Sequence, residues 1–265
     1  MTPTYYVQSS EVAGLIGRHQ YVQKEQAIIR FLNRFDKTNF NKILRQINVQ
    51  RVSEIADKLL TENNDVRVLH DKAIEAKTND QLQELNKQLF DEIEKTDYYK
   101  TKKEYIQHEI QGRVNKMRGS LYENKGINQY ERKTNKVITH RNSETYEKIV
   151  KKTLEYNIIL RAKVDGIDRE HNCLIEHKNR VNRLFEEIPD YEQVQMEIYM
   201  RMTGLERCQL IQTHFKETSE LDFNATEKGW KSIKKQLILT IDSIHNLLNN
   251  KDEMIRFISK YRKYI

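Results

Sequence analysis

The chain has 265 residues, enough for one large domain or two small ones, and either could bury a hydrophobic core. Lysine and arginine number 46 against 39 aspartate and glutamate, a net charge of +7 that permits a nucleic-acid partner without demonstrating one. The 8 glycines and 2 prolines exclude collagen-like and Pro/Gly-rich disordered classes. No secretory signal, long apolar run or cysteine framework is evident, so we expect a soluble cytoplasmic protein rich in helix, with no membrane partner.

The first part of the chain has a helical pattern. From residue 22 to about residue 111, apolar residues recur at spacings of three and four, as in Ile28, Ile29 and Leu32. Few glycines or prolines interrupt this stretch, which favours long helices with solvated, charged outer faces. No linker rich in Ser, Gly or Pro marks a domain boundary.

After Gly119 the pattern changes to short apolar runs. Residues 137–139, 157–164 and 173–178 are rich in Ile, Leu and Val, which is typical of strands. The last two runs are separated by a polar stretch that begins with Asp-Gly, which predicts a β-hairpin between them.

A helix and a strand follow, and then helices to the end of the chain. Residues 191–202 place apolar side chains four apart on one helical face, and Gly204 ends that helix. Residues 208–215 alternate like a strand, and residues 225–265 again have a helical stripe. The sequence therefore predicts an α+β fold, with an α–β–β–β–α–β core and helical additions at both ends.

Asp165 and the tripeptide at residues 176–178 form the sharpest chemical pattern in the chain. Side chains two apart on a strand share a face, so Glu176 and Lys178 project together while His177 points away. Asp165 closes the preceding strand, where a hairpin brings it beside Glu176. Two converging carboxylates suit hard cations such as Mg²⁺ or Mn²⁺, and a nearby ammonium can offset charge on a phosphate.

The same spacing also has a structural interpretation. Glu75 and Lys77 repeat it on a predicted helix, where it decorates the surface. Glu176 and Lys178 could likewise be an exposed pair worth a few tenths of a kcal/mol. The strand context and the preceding Asp165 distinguish them from such a pair.

Five motifs follow one another along the chain. They are S-E-V with G-R at residues 10–18, G-S-L-Y-E-N at 119–124, Asp165 with Glu176-x-Lys178, Y-E-Q-V-Q at 191–195, and M-x-x-T-G ending at Gly204. This ordered set resembles the PD-(D/E)xK nuclease superfamily, and more narrowly its lambda-exonuclease-like, YqaJ-type viral recombinase nucleases. The resemblance covers residues 9–21 and 115–216. Residues 22–114 and 217–265 match no family, and their periodicity predicts helices. The expected regions are therefore a helical region over 1–114 that includes the opening S-E helix, a nuclease core over 115–216, and C-terminal helices over 217–265.

The resemblance also implies roles at the metal centre. Asp165 and Glu176 would hold Mg²⁺ or Mn²⁺, with the backbone carbonyl of His177 as a further oxygen ligand. Glu123 would ligate the metal from its helix. Lys178 would position the attacking water and stabilise the transition state.

Further residues are assigned to substrate handling by the same resemblance. Gln193 would orient Lys178 or the scissile phosphate, with Gln195 as the second candidate. Ser10, Arg18, Tyr191 and Gln195 would contact DNA. The implied activity is exonucleolytic hydrolysis of duplex DNA ends for recombination or genome processing, with a single-strand annealing protein as partner.

The chain departs from the family pattern in two places, and other functions stay open. No basic residue precedes the S-E helix, and Asp190 stands where the family prefers a tyrosine. Alternatives are an endonuclease or RNase of the same superfamily, and a non-catalytic nucleic-acid-binding module. Phage relatives form rings and other viral relatives act as single chains, so the oligomeric state stays open too.

Overall fold

A computed structural model describes residues 2–215 and 217–265, which form ten α-helices and eight β-strands. The helices are α1 (Ser9–Leu15), α2 (Lys24–Phe35), α3 (Lys37–Gln46), α4 (Val52–Glu62), α5 (Asn64–Glu75), α6 (Asn79–Glu94), α7 (Lys100–Thr134), α8 (Asp190–Thr203), α9 (Glu227–Asn249) and α10 (Lys251–Lys260). The strands are β1 (Thr4–Gln8), β2 (Ile138–Thr139), β3 (Tyr146–Lys152), β4 (Asn157–Ala162), β5 (Gly166–Asp168), β6 (Cys173–Asn179), β7 (Arg207–His214) and β8 (Glu217–Phe223). The predicted α+β class with helical additions is confirmed.

Helices α2 to α6 and the first half of α7 form the helical region that the spacing of apolar residues predicts. Asp36, Asn63 and Thr78 cap the starts of α3, α5 and α6 by accepting backbone N–H groups of the first turn. The apolar faces of α4, α5, α6 and α7 meet in one cluster that includes Ile55 and Leu89. Helix α7 runs unbroken across the boundary expected between residues 114 and 115.

The strands form two sheets instead of the single small sheet expected. One has the order β1-β4-β3, with β1 parallel and β3 antiparallel to the central β4. The other has the order β2-β5-β6-β7-β8, in which only the β6–β7 pair is parallel. Helix α8 connects β6 to β7, as a parallel pair requires.

The predicted hairpin between residues 157–164 and 173–178 is wrong in its first strand. The apolar run at 157–162 forms β4, which pairs with β1 and β3 in the smaller sheet. The antiparallel partner of β6 is the three-residue β5, which follows directly after Asp165. Sequence periodicity does not show which runs pair, and β1 lies about 150 residues away from β4 in the chain.

Helix α8 confirms the prediction for residues 191–202 and packs against both sheets. Val194 and Ile198 contact the apolar cluster of α1 and α9, whereas Met196 and Met200 face the larger sheet. Gly204 ends the helix with a φ of 75°, a left-handed conformation that glycine adopts at low cost. The N-terminal half of α8 lies beside the end of β6.

The C-terminal helices α9 and α10 bury the stripe of apolar residues expected there, including Ile233, Leu237 and Ile241, against α1, α2 and α8. Four strands were not predicted: β1, β3, β5 and β8. None of the helices formed by residues 2–215 and 217–265 has the length and hydropathy needed to cross a bilayer.

Candidate active site

The site forms where β4 gives way to β5 beside the end of β6. Gly166 pairs with Ile175 in the antiparallel register of β5 and β6, which brings Asp165 next to the following residues of β6. The backbone N–H of His177 donates a hydrogen bond of 2.9 Å to Asp165 Oδ2. Asp165 is thus fixed beside Glu176 by main-chain geometry, although its strand is not the one predicted.

Residues Glu176 and Lys178 project from the same face of β6, as their alternation predicts. Lys178 Nζ donates to Glu176 Oε1 over 2.5 Å. The Glu176 side chain is only 1% exposed and that of Lys178 is 27% exposed, so the pair is not a surface decoration. His177 points to the other face, where its Nε2 lies 3.0 Å from Thr213 Oγ1.

Helix α7 supplies the third carboxylate. Glu123 accepts a hydrogen bond from the Asn142 side chain, and the Asn142 backbone N–H donates to the Val164 carbonyl, one residue before Asp165. Three residues after Glu123, Gly126 lies against the His177 ring, and a Cβ at this position would stand 2.0 Å from His177 Nε2. The missing side chain therefore lets α7 approach β6 and carry Glu123 to the site.

The carboxyl groups repel one another and are partly removed from water. Burial, and next the charge of Asp165, raise the pKa of Glu176 to about 8. Burial likewise raises the pKa values of Asp165 and Glu123, and for Glu123 the charge of Asp165 adds to the rise. Burial alone would lower the pKa of Lys178, but the Glu176 and Asp165 carboxylates reverse the effect and raise it, so the ammonium form is favoured.

A divalent cation fits this donor set. Glu176 Oε2 is buried, and it has no hydrogen-bond partner among the described residues, a costly state for a carboxylate oxygen. The side-chain donors that converge are oxygens, which Mg²⁺ and Mn²⁺ prefer. No group of three or more His, Cys, Asp or Glu side chains within residues 2–215 and 217–265 is arranged to hold a metal ion, so the fit rests on Asp165 and Glu176, with Glu123 in electrostatic range of Asp165.

The two glutamines of α8 have different surroundings. Gln193 donates its side-chain amide to the Ile188 carbonyl over 2.7 Å, and it lines a cleft with Arg18 on the α9 side of the helix. Gln195 donates over 2.5 Å to the hydroxyl of Tyr199. Tyr199 is electrostatically coupled to the site, because burial and the Glu176 charge raise its pKa. Gln195 thus contacts a tyrosine within electrostatic range of Glu176, whereas Gln193 contacts the Ile188 carbonyl.

The residues expected to contact DNA lie around the start of α8. Arg18 forms a bidentate ion pair with Asp190, so its charge is already partnered. Tyr191 stacks on His19 with ring centroids 4.5 Å apart. Ser10 is exposed, whereas its neighbour Ser9 is buried and hydrogen-bonds Tyr199.

Several supporting residues escaped prediction. Arg180 forms a bidentate pair with Glu192 at 2.6 and 2.7 Å, and both side chains are less than a tenth exposed. This pair fixes the first turn of α8 to the end of β6. The alternation of Glu176 and Lys178 continues to Arg180, and Gly126 interrupts a helical pattern, so both had a signal in the sequence. Tyr199 had none.

Several solved structures resemble the chain. An alkaline exonuclease from Laribacter hongkongensis, LHK-Exo, is 12% identical with a TM-score of 0.37, over 72% of this chain and 90% of that one. A phage related exonuclease from Haemophilus somnus is 11% identical with a TM-score of 0.40, over 64% and 83% of the two chains. SSO0001 is 15% identical with a TM-score of 0.38, over 60% and 84%. No protein-family model and no curated protein matches the sequence. At these identities and TM-scores the function rests on the site itself.

Proposed function

We propose that this protein is a metal-dependent nuclease that hydrolyses phosphodiester bonds of DNA, working as an exonuclease at duplex ends. The observation that carries the proposal is the buried Glu176 carboxylate, which is paired with Lys178 on one oxygen and has no partner among the described residues on the other. Glu176 stands beside the Asp165 carboxyl, and two buried carboxyl groups so placed either share a proton or hold a cation. We assign the cation.

Asp165 and Glu176 would hold Mg²⁺ or Mn²⁺, with Glu123 as the third carboxylate and the His177 carbonyl as a further oxygen. When bound, the ion supplies Lewis-acid stabilisation of the phosphoryl oxygens and a bound water of lowered pKa. Burial raises the pKa values of Asp165 and Glu176, and the charge of Asp165 adds to the rise at Glu176. A cation held by these carboxylates would offset both effects, which supports the assignment.

Lys178 would act as a fixed positive charge. The two carboxylates raise its pKa, so it stays protonated and is unsuited to accept a proton from the attacking water. From its place beside Glu176, the ammonium can donate hydrogen bonds to the water or to a non-bridging phosphate oxygen and stabilise the developing charge. Gln195 would orient Tyr199 beside this pair.

Binding of a DNA end would involve the start of α8. The stacked rings of Tyr191 and His19, with the exposed Tyr21 at 6.0 Å from Tyr191, offer a surface on which a terminal base can stack. The ordered motifs resemble a family that acts on duplex ends, and this resemblance supports duplex ends as the substrate. Arg18 would have to leave Asp190 to meet a phosphate.

The test is digestion of end-labelled linear duplex DNA, with 5′-phosphate or 5′-hydroxyl, in the presence and absence of Mg²⁺. We expect Mg²⁺-dependent release of nucleotides, and a loss of roughly a thousandfold or more in rate for Lys178→Ala. Lys95→Ala is the matched control, because Lys95 forms an equally short ion pair on an exposed helix face. Wild-type digestion by Lys178→Ala would refute the catalytic assignment.

Closed circular duplex and RNA substrates separate the mode of action. An exonuclease leaves covalently closed circles intact, whereas an endonuclease of the same superfamily linearises them. Salt-sensitive DNA binding without any metal-dependent cleavage would instead indicate a non-catalytic binding module.

A further inference from the structure

A cavity lies next to the candidate active site, between the end of β6 and α7. It has a volume of about 270 Å³ and is bounded by α7, the segment after α5, the end of β6 and the turn after β7. Asn179, the residue after Lys178, forms part of its wall, as does Gly126 of α7. At this size, near the lower end of the roughly 300–1,000 Å³ of small-molecule pockets, it suits one nucleotide and not a helix.

The wall of this cavity is positively charged. It contains Lys77, Arg118, Lys125 and Arg180, and none of the described residues that line it is acidic. Arg180 is neutralised by Glu192, but the other three cations have no carboxylate facing them in the cavity. Such a wall favours an anionic ligand.

Arg118 is the unusual member of this set. It is 3% exposed, and its Nη1 donates to the carbonyls of Ala73, Ile74 and Ala76 at 2.8–3.0 Å. Its Nε is buried and has no hydrogen-bond partner within residues 2–215 and 217–265. The guanidinium is therefore fixed by main-chain carbonyls, and no carboxylate among the described lining residues offsets its charge.

Two aromatic rings complete the cavity. The Arg118 guanidinium carbon lies 5.3 Å from the centroid of the Tyr122 ring and 5.8 Å from that of Phe215. Phe215 has a φ of 53°, the left-handed conformation that the tight turn between β7 and β8 requires, and the residue lines the cavity. Planar rings beside cations are the combination that holds a nucleobase and its phosphate.

We propose that this cavity binds a single nucleotide carrying a 5′-phosphate, with the base against Tyr122 or Phe215 and the phosphate facing Lys77, Lys125 and Arg118. The source of the ligand rests on the proposed function: either a nucleotide of the bound DNA strand or the mononucleotide released from it. In this proposal the helical region contributes to ligand binding, because Lys77, which follows α5, forms part of the cavity wall.

Titration calorimetry at low salt tests the binding, with the metal-free full chain in EDTA so that no cation links the ligand to the active site. The probes are thymidine 5′-monophosphate and thymidine. We expect the monophosphate to bind at least about tenfold more tightly, because only it carries the charge. Lys77→Ala and Lys125→Ala should each weaken it by about three- to tenfold, and Lys133→Ala, an exposed lysine of the same helix, should not. Equal affinity for both probes, or unchanged affinity in both lysine variants, overturns the proposal.

Failure of this proposal can be told apart from failure of the nuclease assignment. Glu176→Gln should abolish cleavage and keep the monophosphate affinity, because Glu176 lies outside the cavity. In cleavage assays, a rise in KM for duplex DNA in Lys125→Ala identifies a nucleotide of the strand as the ligand. An unchanged KM with loss of inhibition by added monophosphate identifies the released product.

Discussion

Two lysine–glutamate pairs in this chain have the same length and very different surroundings. Lys95 and Glu92 on helix α6 and its C-cap, and Lys178 and Glu176 on strand β6, each have a nitrogen–oxygen distance of 2.5 Å. Lys95 is 69% exposed, whereas Glu176 is 1% exposed and stands beside a second carboxylate. The two pairs have similar spacing in the sequence. Burial is the property that makes the Lys178–Glu176 pair, and not the Lys95–Glu92 pair, a candidate for catalysis.

The two regions around these pairs differ in the same way. The helical region buries a mostly apolar interior, with His70 and, at its edge, Arg118 as buried polar side chains, and most of its ion pairs lie at the surface. The larger sheet and α8 bury carboxylates, a histidine and an arginine. Hydrogen bonds and ion pairs to specific partners offset the free-energy cost of burying these groups. Changes in the second region should therefore have far larger effects than matched changes in the first.

The largest effect on stability should come from Arg180→Met. This change leaves the Glu192 carboxylate buried without its bidentate partner, which costs about 3–5 kcal/mol for a buried ion pair. The free energy of unfolding from urea titration measures it. Arg180→Met combined with Glu192→Met should recover much of the loss, because neither charge then remains. A single variant as stable as the wild type would contradict the proposed clamp between β6 and α8.

Gly126→Val tests whether the approach of α7 to β6 positions Glu123. A Cβ would meet the His177 ring at 2.0 Å, so the helix or the ring must move, at about 1–3 kcal/mol. We expect Mg²⁺-dependent cleavage to fall at least about tenfold as Glu123 shifts. Gly112→Ala on the same helix, where a Cβ meets nothing within 4 Å, is the control and should be neutral or slightly stabilising. Equal cleavage activity of the two variants would contradict the placement of Glu123 in the active site.

Much of this contrast could be predicted from the sequence, and what could not has a physical reason. Alternation along a strand is a local property, so the shared face of Glu176 and Lys178 and the opposite direction of His177 were predictable. Strand pairing is not local, so the partner of β6 was assigned to residues 157–164 when it is β5. The two glutamines of α8 lie on a helix whose surroundings come from three other elements, so the choice of Gln193 before Gln195 had no local basis.

The effect of Mg²⁺ on the melting temperature, measured at two pH values, should distinguish the buried pair from the exposed one. Burial and Asp165 raise the pKa of Glu176 from 4.5 to about 8 in the metal-free protein. A raised carboxyl pKa contributes stability that is present below pH 4.5 and is lost as the pH rises through 8. A cation needs the deprotonated form, so Mg²⁺ should raise the melting temperature more at pH 8.5 than at pH 6. At a Mg²⁺ concentration ten times its Kd, binding raises the free energy of unfolding by about 1.4 kcal/mol. Glu176→Gln should lose both the gain and its pH dependence, and the same gain in that variant would contradict metal binding at Glu176.

The smallest effect is expected at the exposed pair. Although Lys95 and Glu92 stand as close together as Lys178 and Glu176, water solvates both charges and screens their attraction. Glu92 raises the pKa of Lys95, but an exposed lysine is already protonated at neutral pH, so the shift changes no charge there. Lys95→Ala should leave the melting temperature within about 1 °C and DNA cleavage unchanged. A substantial loss of cleavage in this variant would mean that the helical region contacts the substrate far from the sheet, and that burial alone does not separate the two pairs.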